Sequence, residues 1–370
     1  MNVERIVLRE IRLPLREPFQ TSVDLTTERR ILLVQVIDRS GATGWGECTA
    51  PEEPYYCAEW IDGAWLALQQ HLIPLFWQGN PTKAEDVFEA FAPVRGHRMA
   101  KGALETACWD LQAKLANKPL WQMLGGTRTQ IECGVSLGLR ATPELMVERV
   151  AAELAAGYRR IKLKIKPGSD VAFVAKVREQ FPGIRLSVDA NTAYSLDDLA
   201  TLQQLDEFNL LMIEQPLADD DLHDHAVLQR QLKTALCLDE SILSLAHARK
   251  AIAHQSCRII NIKLGRVGGH SEARRIQQHC LDNGIPVWCG GMLEAGIGRA
   301  HNIAMSSLQG FSLPGDVSAS ARYWHEDIIE PEVTVTPQGM IELPASEGIG
   351  YRVREDLIER LTVRRETFKR

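Results

Sequence analysis

No part of this 370-residue sequence stays apolar long enough to cross a membrane. Runs such as Ile31-Leu32-Leu33-Val34 fall far short of the roughly 20 residues that a spanning helix needs. An excess of positive charge is also missing. Lys and Arg number 42 against 48 Asp and Glu, a net charge of −6, so there is no basic footprint for nucleic acid or an anionic membrane surface. The eight cysteines include no C-x-x-C pair and several sit inside apolar runs, which reads as reduced, mostly buried thiols. Met1-Asn2-Val3-Glu4-Arg5-Ile6-Val7 lacks the basic-then-apolar layout of a signal peptide, so a cytoplasmic location is expected. Low-complexity segments and flexible linkers are absent as well. What is there is 45% hydrophobic and 24% charged, ordinary globular proportions in a chain long enough for more than one domain.

The first 50 residues read as strands: Arg5 to Leu13, then Arg30 to Ile37, then Thr43-Gly44-Trp45-Gly46-Glu47 after a turn at 38–41. Pro18 to Asp24 is a polar loop suited to a lid. Helical patterns follow at roughly 57–72, 83–92 and 97–116, the last with Ala100, Ala103, Ala107, Leu111 and Leu115 along one stripe. Strands followed by helices predict a segregated α+β domain over 1–126, stopped by Gly125-Gly126.

From residue 127 to 319 the pattern changes. Apolar runs end in single charged residues at Lys164, Asp189, Glu214, Asp239 and Lys263, at steps of 25, 25, 25 and 24. A fixed period of that size marks a repeated strand–loop–helix unit. Eight strands are predicted near 132–138, 160–164, 184–189, 210–214, 236–239, 258–263, 286–289 and 310–313. That is the inventory of a (β/α)8 barrel. After Asp316 the chain is less regular; 333–335 and 340–343 look like a hairpin, and the segment 320–370 is expected to return to the first domain.

Barrel enzymes place reactive groups where strands end. By strand order, Lys164 and Lys263 fall on opposite walls, and Asp189, Glu214 and Asp239 form an arc between them. Three clustered carboxylates need a compensating cation, and an all-oxygen set suits Mg²⁺, with Mn²⁺ as an alternative. Separate surface ion pairs would explain any one of these acids, but hardly three at equal spacing. A lysine whose pKa is drawn down by nearby cations can act as a base, and Lys162, two residues before Lys164, shares its side of the strand. Two rival readings stay open at this point: a Schiff-base aldolase, and a barrel that binds carboxylates without catalysis. Asp219-Asp220-Asp221-Leu222-His223-Asp224-His225 looks like a metal cluster, but an Asp-rich helix N-terminus is the better reading.

The motifs Lys162-Leu163-Lys164, Asp189-Ala190-Asn191, Ile213-Glu214-Gln215-Pro216, Asp239-Glu240-Ser241 and Lys263 together resemble the enolase superfamily, in its muconate-lactonizing-enzyme subgroup. Within it, Lys263-Leu264-Gly265-Arg266-Val267-Gly268-Gly269, the stretch from Cys289 to Asn302 and Leu313 to Ser320 are most similar to o-succinylbenzoate synthases that also racemise N-succinylamino acids. The resemblance implies a modified TIM barrel of (β/α)7β type, roofed by an N-terminal α+β capping domain that the C-terminal segment completes. It further implies Lys164 and Lys263 as catalytic residues, Asp189, Glu214 and Asp239 as Mg²⁺ ligands, and a small carboxylate substrate with a succinyl group. A homo-oligomer is expected. Ser136, Lys162, Asn191, Arg266, Gly291 and Met292 are candidates for substrate binding, with the Gly290-Gly291-Met292 turn presenting N–H groups to the succinyl end. Arg266 is expected to tune Lys263 by its charge, or else to form a structural salt bridge. Two departures narrow the field. Trp288 and Cys289 stand where a mandelate-racemase-type site has His, and Asp316-Val317-Ser318 lacks the second carboxylate of dipeptide epimerases. Within the subgroup, a dedicated racemase, a dipeptide epimerase or a cycloisomerase remain as alternatives.

Overall fold

A computed structural model describes residues 1–21 and 24–370. Ser22 and Val23 of the expected lid lie outside the described residues. The chain opens with β1 (Val3–Gln20), β2 (Leu25–Asp38) and β3 (Thr43–Cys48), an antiparallel meander that packs on the helix α1 (Arg98–Leu115). The reason for Gly44 and Gly46 is steric. A Cβ at 44 would stand 2.1 Å from the Ala107 carbonyl oxygen, and one at 46 would stand 2.0 Å from that of Ala103. Alanines on the helix and glycines on the strand let the two backbones touch. The predicted stripe holds through Leu111, whereas Leu115 is exposed at the helix end.

The barrel follows as β4 (Val135–Leu137), β5 (Arg160–Lys164), β6 (Arg185–Asp189), β7 (Ile213–Glu214), β8 (Leu236–Leu238), β9 (Ile259–Ile262) and β10 (Val287–Cys289). These seven pair in parallel, each beside its sequence neighbour. The expected eighth strand at 310–313 forms no regular ladder. Two isolated parallel bridges, Phe311 to Val287 and Gly315 to Cys133, close the ring. Pro314 between them has no N–H to give a ladder. Met340–Glu342 also departs from expectation, since it pairs antiparallel with Gln130–Glu132 and not with 333–335. The last strand, β11 (Thr362–Lys369), returns to pair with β1. No described helix is long and apolar enough to cross a membrane.

Buried carboxylates seat the first layer on the barrel. Glu105 of α1 accepts the His270 and Ser271 N–H groups at 2.9 and 2.8 Å, at the start of α2 (His270–Asp282). Glu47 of β3 accepts those of Ala295 and Gly298 at 2.9 and 2.8 Å, at the start of α3 (Gly296–Ser306). Helix N-termini carry unpaired N–H groups and partial positive charge, so acids placed there dock one layer on the other. Burial pushes the Glu47 carboxyl from its ordinary 4.5 up to about 8, despite its N–H donors, and Glu105 up to about 7. Each acid thus holds its proton more tightly folded than unfolded. Their contribution to stability is full below the unfolded pKa and is lost as pH rises through the folded one. The melting temperature is expected to fall between about pH 5 and 8 on this account, and Glu47→Gln to flatten the slope. A thermal-shift series across that range checks it; an unchanged slope in the variant would remove Glu47 as the source.

Candidate active site

Strand parity builds the floor of the cavity between the two layers. Alternate residues of β5 face inward, so Arg160, Lys162 and Lys164 line up along the barrel interior, all buried. Asp189 ends β6 opposite Lys164, and Glu214 ends β7 opposite Asp189. Asp239 follows β8 directly and Lys263 follows β9. Asn191 and Gln215, just past two of these acids, adopt left-handed backbone angles of 43° and 38°, the kind of strain that functional strand ends tend to hold.

The charges interlock. Lys162 Nζ lies 3.0 Å from Asp189, 2.8 Å from Glu214 and 2.7 Å from Asp316. Lys164 donates to Asp189 at 2.6 Å and to Asn191 Oδ1 at 2.5 Å. Across the cavity Lys263 meets Asp239 at 2.7 Å and the Tyr56 hydroxyl at 3.2 Å. Lys164 and Lys263 both line the same cavity, with Ser136, Lys162, Asn191, Gly291 and Met292. Ser136 Oγ has no hydrogen-bond partner within the described protein. Arg266 is set apart from these. It lies behind Asp239, to which its Nη1 is paired, while its Nε donates to the Ile242 carbonyl at 2.9 Å. Its direct ionic contact is with the acid and not with Lys263.

Each shift in proton affinity has a visible cause. Burial alone would raise Asp189, but Lys164 and then Lys162 hold it well below the usual carboxylate range. Glu214 goes the other way, raised by burial and by Asp189 beside it. Lys162 and Lys263 are both held above the ordinary lysine value. Burial lowers each, but the carboxylates of Asp316, Glu214 and Asp189 outweigh it for Lys162, and those of Glu240, Glu214 and Asp189 for Lys263.

No three His, Cys, Asp or Glu side chains among the described residues converge as a ready-made metal cage. Ammonium and guanidinium groups stand against the three acids, with Asp189 and Glu214 sharing Lys162 and Asp239 held by Lys263 and Arg266. That donor set, all oxygen, buried and neutralised by cationic side chains, fits a hard divalent cation. The acidic stretch at 219–225 behaves as its bland reading says: Asp221 caps the helix Leu222–Gln231 by accepting the Asp224 N–H at 2.8 Å.

Two of the three N–H groups of the expected anion nest at Gly290-Gly291-Met292 are already engaged. The Gly290 N–H already binds the Ile262 carbonyl at 3.2 Å, and that of Met292 binds Glu294 at 2.9 Å. The glycine at 290 serves packing instead. A Cβ there would stand 2.4 Å from Asn261 Oδ1 and 2.7 Å from Lys263 Cε, so its absence gives the lysine stem its path.

Several residues at the site escaped the sequence reading. Asn261 donates to Glu214 at 2.7 Å and Glu240 accepts from Asn191 at 2.9 Å. Arg160 pairs with Asp316 at 2.7 Å. Two carried a usable signal: Arg160 has the parity of Lys162 and Lys164, and Asn261 that of Lys263. Tyr56 had none, because a loop of the other layer delivers it. Trp288, in the place of the missing His, puts its ring under Lys162, with 4.8 Å from Nζ to the ring centroid.

A parallel barrel with lysines and acids at its strand ends, beneath an α+β roof, defines a capped-barrel enzyme. Residues 3–125 match the family described as mandelate racemase / muconate lactonizing enzyme, N-terminal domain, and residues 145–357 match the enolase C-terminal domain-like family. The chain belongs to the enolase superfamily, in its mandelate racemase / muconate lactonizing enzyme branch. It is 50% identical over 370 residues to a protein of Geobacillus kaustophilus named o-succinylbenzoate synthase, covering 100% of this chain and 98% of that one. It is 47% identical over 363 residues to a Thermus thermophilus protein named N-succinylamino acid racemase, covering 98% of each. A crystal structure of an enolase-superfamily member from Listeria innocua superposes with a TM-score of 0.96 at 42% identity, covering 100% of this chain and 99% of that one.

Proposed function

We propose that this protein is an o-succinylbenzoate synthase. It dehydrates 2-succinyl-6-hydroxy-2,4-cyclohexadiene-1-carboxylate to o-succinylbenzoate, a step toward menaquinone, and also racemises N-succinylamino acids. The observation that carries this reading is the pair of buried lysines, Lys164 and Lys263, lining one cavity with acids at the strand ends between them. The names of the relatives supply the substrate class.

In this mechanism Lys164 takes the proton α to the substrate carboxylate and returns it to the departing hydroxide, so that water leaves and the ring becomes aromatic. Lys263 stays charged and faces the enediolate from the other side. Asp189, Glu214 and Asp239 would hold Mg²⁺, with Mn²⁺ able to replace it; when bound, the ion offsets the charge that develops on the carboxylate. Enolase-superfamily sites are a standard example of a Lys or His base working with one or two Mg²⁺ ions. Racemisation asks more, since both lysines must then exchange protons.

Arg266 holds Asp239 beside Lys263 and so bears on the step in which that lysine transfers a proton. Arg266→Gln is expected to slow racemisation more than dehydration; equal losses in both rates would reduce it to a structural residue. The function itself is tested by following o-succinylbenzoate formation by absorbance, alongside α-proton exchange of N-succinylamino acids in deuterated water. Product formation without exchange would leave the synthase alone. Exchange without product would favour the dedicated racemase that the Thermus relative's name suggests. Borohydride trapping of substrate on a lysine would instead indicate Schiff-base chemistry.

A further inference from the structure

Four cationic residues line the cavity: Lys162, Lys164, Lys263 and Arg29. The three lysines each have an acidic partner, at 2.7, 2.6 and 2.7 Å for the nearest contact. Arg29 has none within ion-pair distance among the described residues. Its Nη2 reaches only the carbonyl oxygens of Thr49 and Ala50, both at 3.5 Å, and its Nε has no partner. Yet it is 5% exposed. The next residue along β2 shows what an ordinary arginine does here: Arg30 faces the other way and pairs with Glu10 at 2.7 Å and Asp62 at 2.9 Å.

A buried guanidinium without a paired anion is costly, so a fold that keeps one facing a cavity has it poised for an anionic ligand. The nearest acids do not fill the role. Glu47 gives its oxygens to the Ala295 and Gly298 N–H groups, and Glu294 gives its own to the Met292 N–H and to Asn302 Nδ2.

We propose that Arg29 receives a second carboxylate of the substrate, the one at the free end of its acyl arm. This inference rests on the function proposed above, whose substrates carry two carboxylates: one placed over the barrel acids and lysines, the other left without a partner there. The guanidinium's planar fork suits a carboxylate. Arg29 comes from the capping layer while the reacting groups come from the barrel, so a dicarboxylate is held by both layers at once and a monocarboxylate by one. Because the contact is remote from the reacting carbon, it acts on ground state and transition state alike and is read mainly in KM.

The test compares kcat/KM for racemisation of an N-succinylamino acid with that of its isosteric amide, whose arm ends in an uncharged carboxamide. The wild type is expected to prefer the acid by about 100-fold, the scale on which truncating one partner of a buried charge pair acts. Arg29→Gln is expected to abolish that preference through KM, and Arg29→Lys to restore part of it. A wild type that treats acid and amide equally overturns the inference without reference to any variant, so a failure of Arg29→Gln to fold does not protect it. A preference that survives Arg29→Gln overturns it as well, while leaving the proposed function standing. Absence of turnover with any of these compounds and with the dehydration substrate overturns the function and this inference together.

Discussion

Lys164→Ala is expected to lose about 10⁴-fold in kcat for dehydration and for racemisation alike, the upper range of what a positioned base contributes. The residue sits at the end of β5, 8% exposed, with its ammonium 2.6 Å from Asp189 and the cavity beyond it. Among the described residues the neighbouring amine, Lys162, is held by Asp189, Glu214 and Asp316 and does not replace it. Loss of Lys164 also frees Asp189 from one of its two ammonium partners, so metal affinity is expected to change and both rates should be measured at saturating Mg²⁺. Product formation at the native rate would end the assignment of Lys164 as the base.

The second large effect separates the two reactions. In Lys263→Ala, racemisation is expected to fall about 10³-fold or more, because inversion needs a proton donor on the face opposite Lys164. Dehydration needs only the charge there and is expected to lose less. Deuterium exchange gives the sharper reading. The enantiomer whose α-proton faces Lys164 should still exchange in deuterated water, with retention, and its mirror image should not. Exchange of both enantiomers at native rates, observed by proton NMR, would show that Lys263 is not the second base.

The two lysines and three acids were readable in the sequence because the barrel is periodic. A strand that ends every 25 residues carries its last side chain to the same rim, and parity within a strand carries Lys162 beside Lys164. What was hidden lacks that periodicity. Tyr56 and Arg29 reach the cavity from the capping layer, where no spacing relates them to Lys263. The role of Asp316 depended on knowing that Arg160 and Lys162 face it. The eighth strand was overread because Phe311, Leu313 and their neighbours are apolar enough, while Pro314 and Gly315 limit the segment to two bridges. Gly290 could be taken for an anion-binding turn until the stem of Lys263 was seen beside it.

The pairing of β11 with β1 has a consequence for assembly. Residues 362–369 form the outer neighbour of β1, some 350 positions earlier in the chain. Such a distant pairing is slow to close, and until it does β1 offers a bare edge to any other extended chain. The roof over the lysines is thereby tied to the fate of a remote tail. Clipping that tail would leave the edge of β1 bare even in molecules whose barrel is intact.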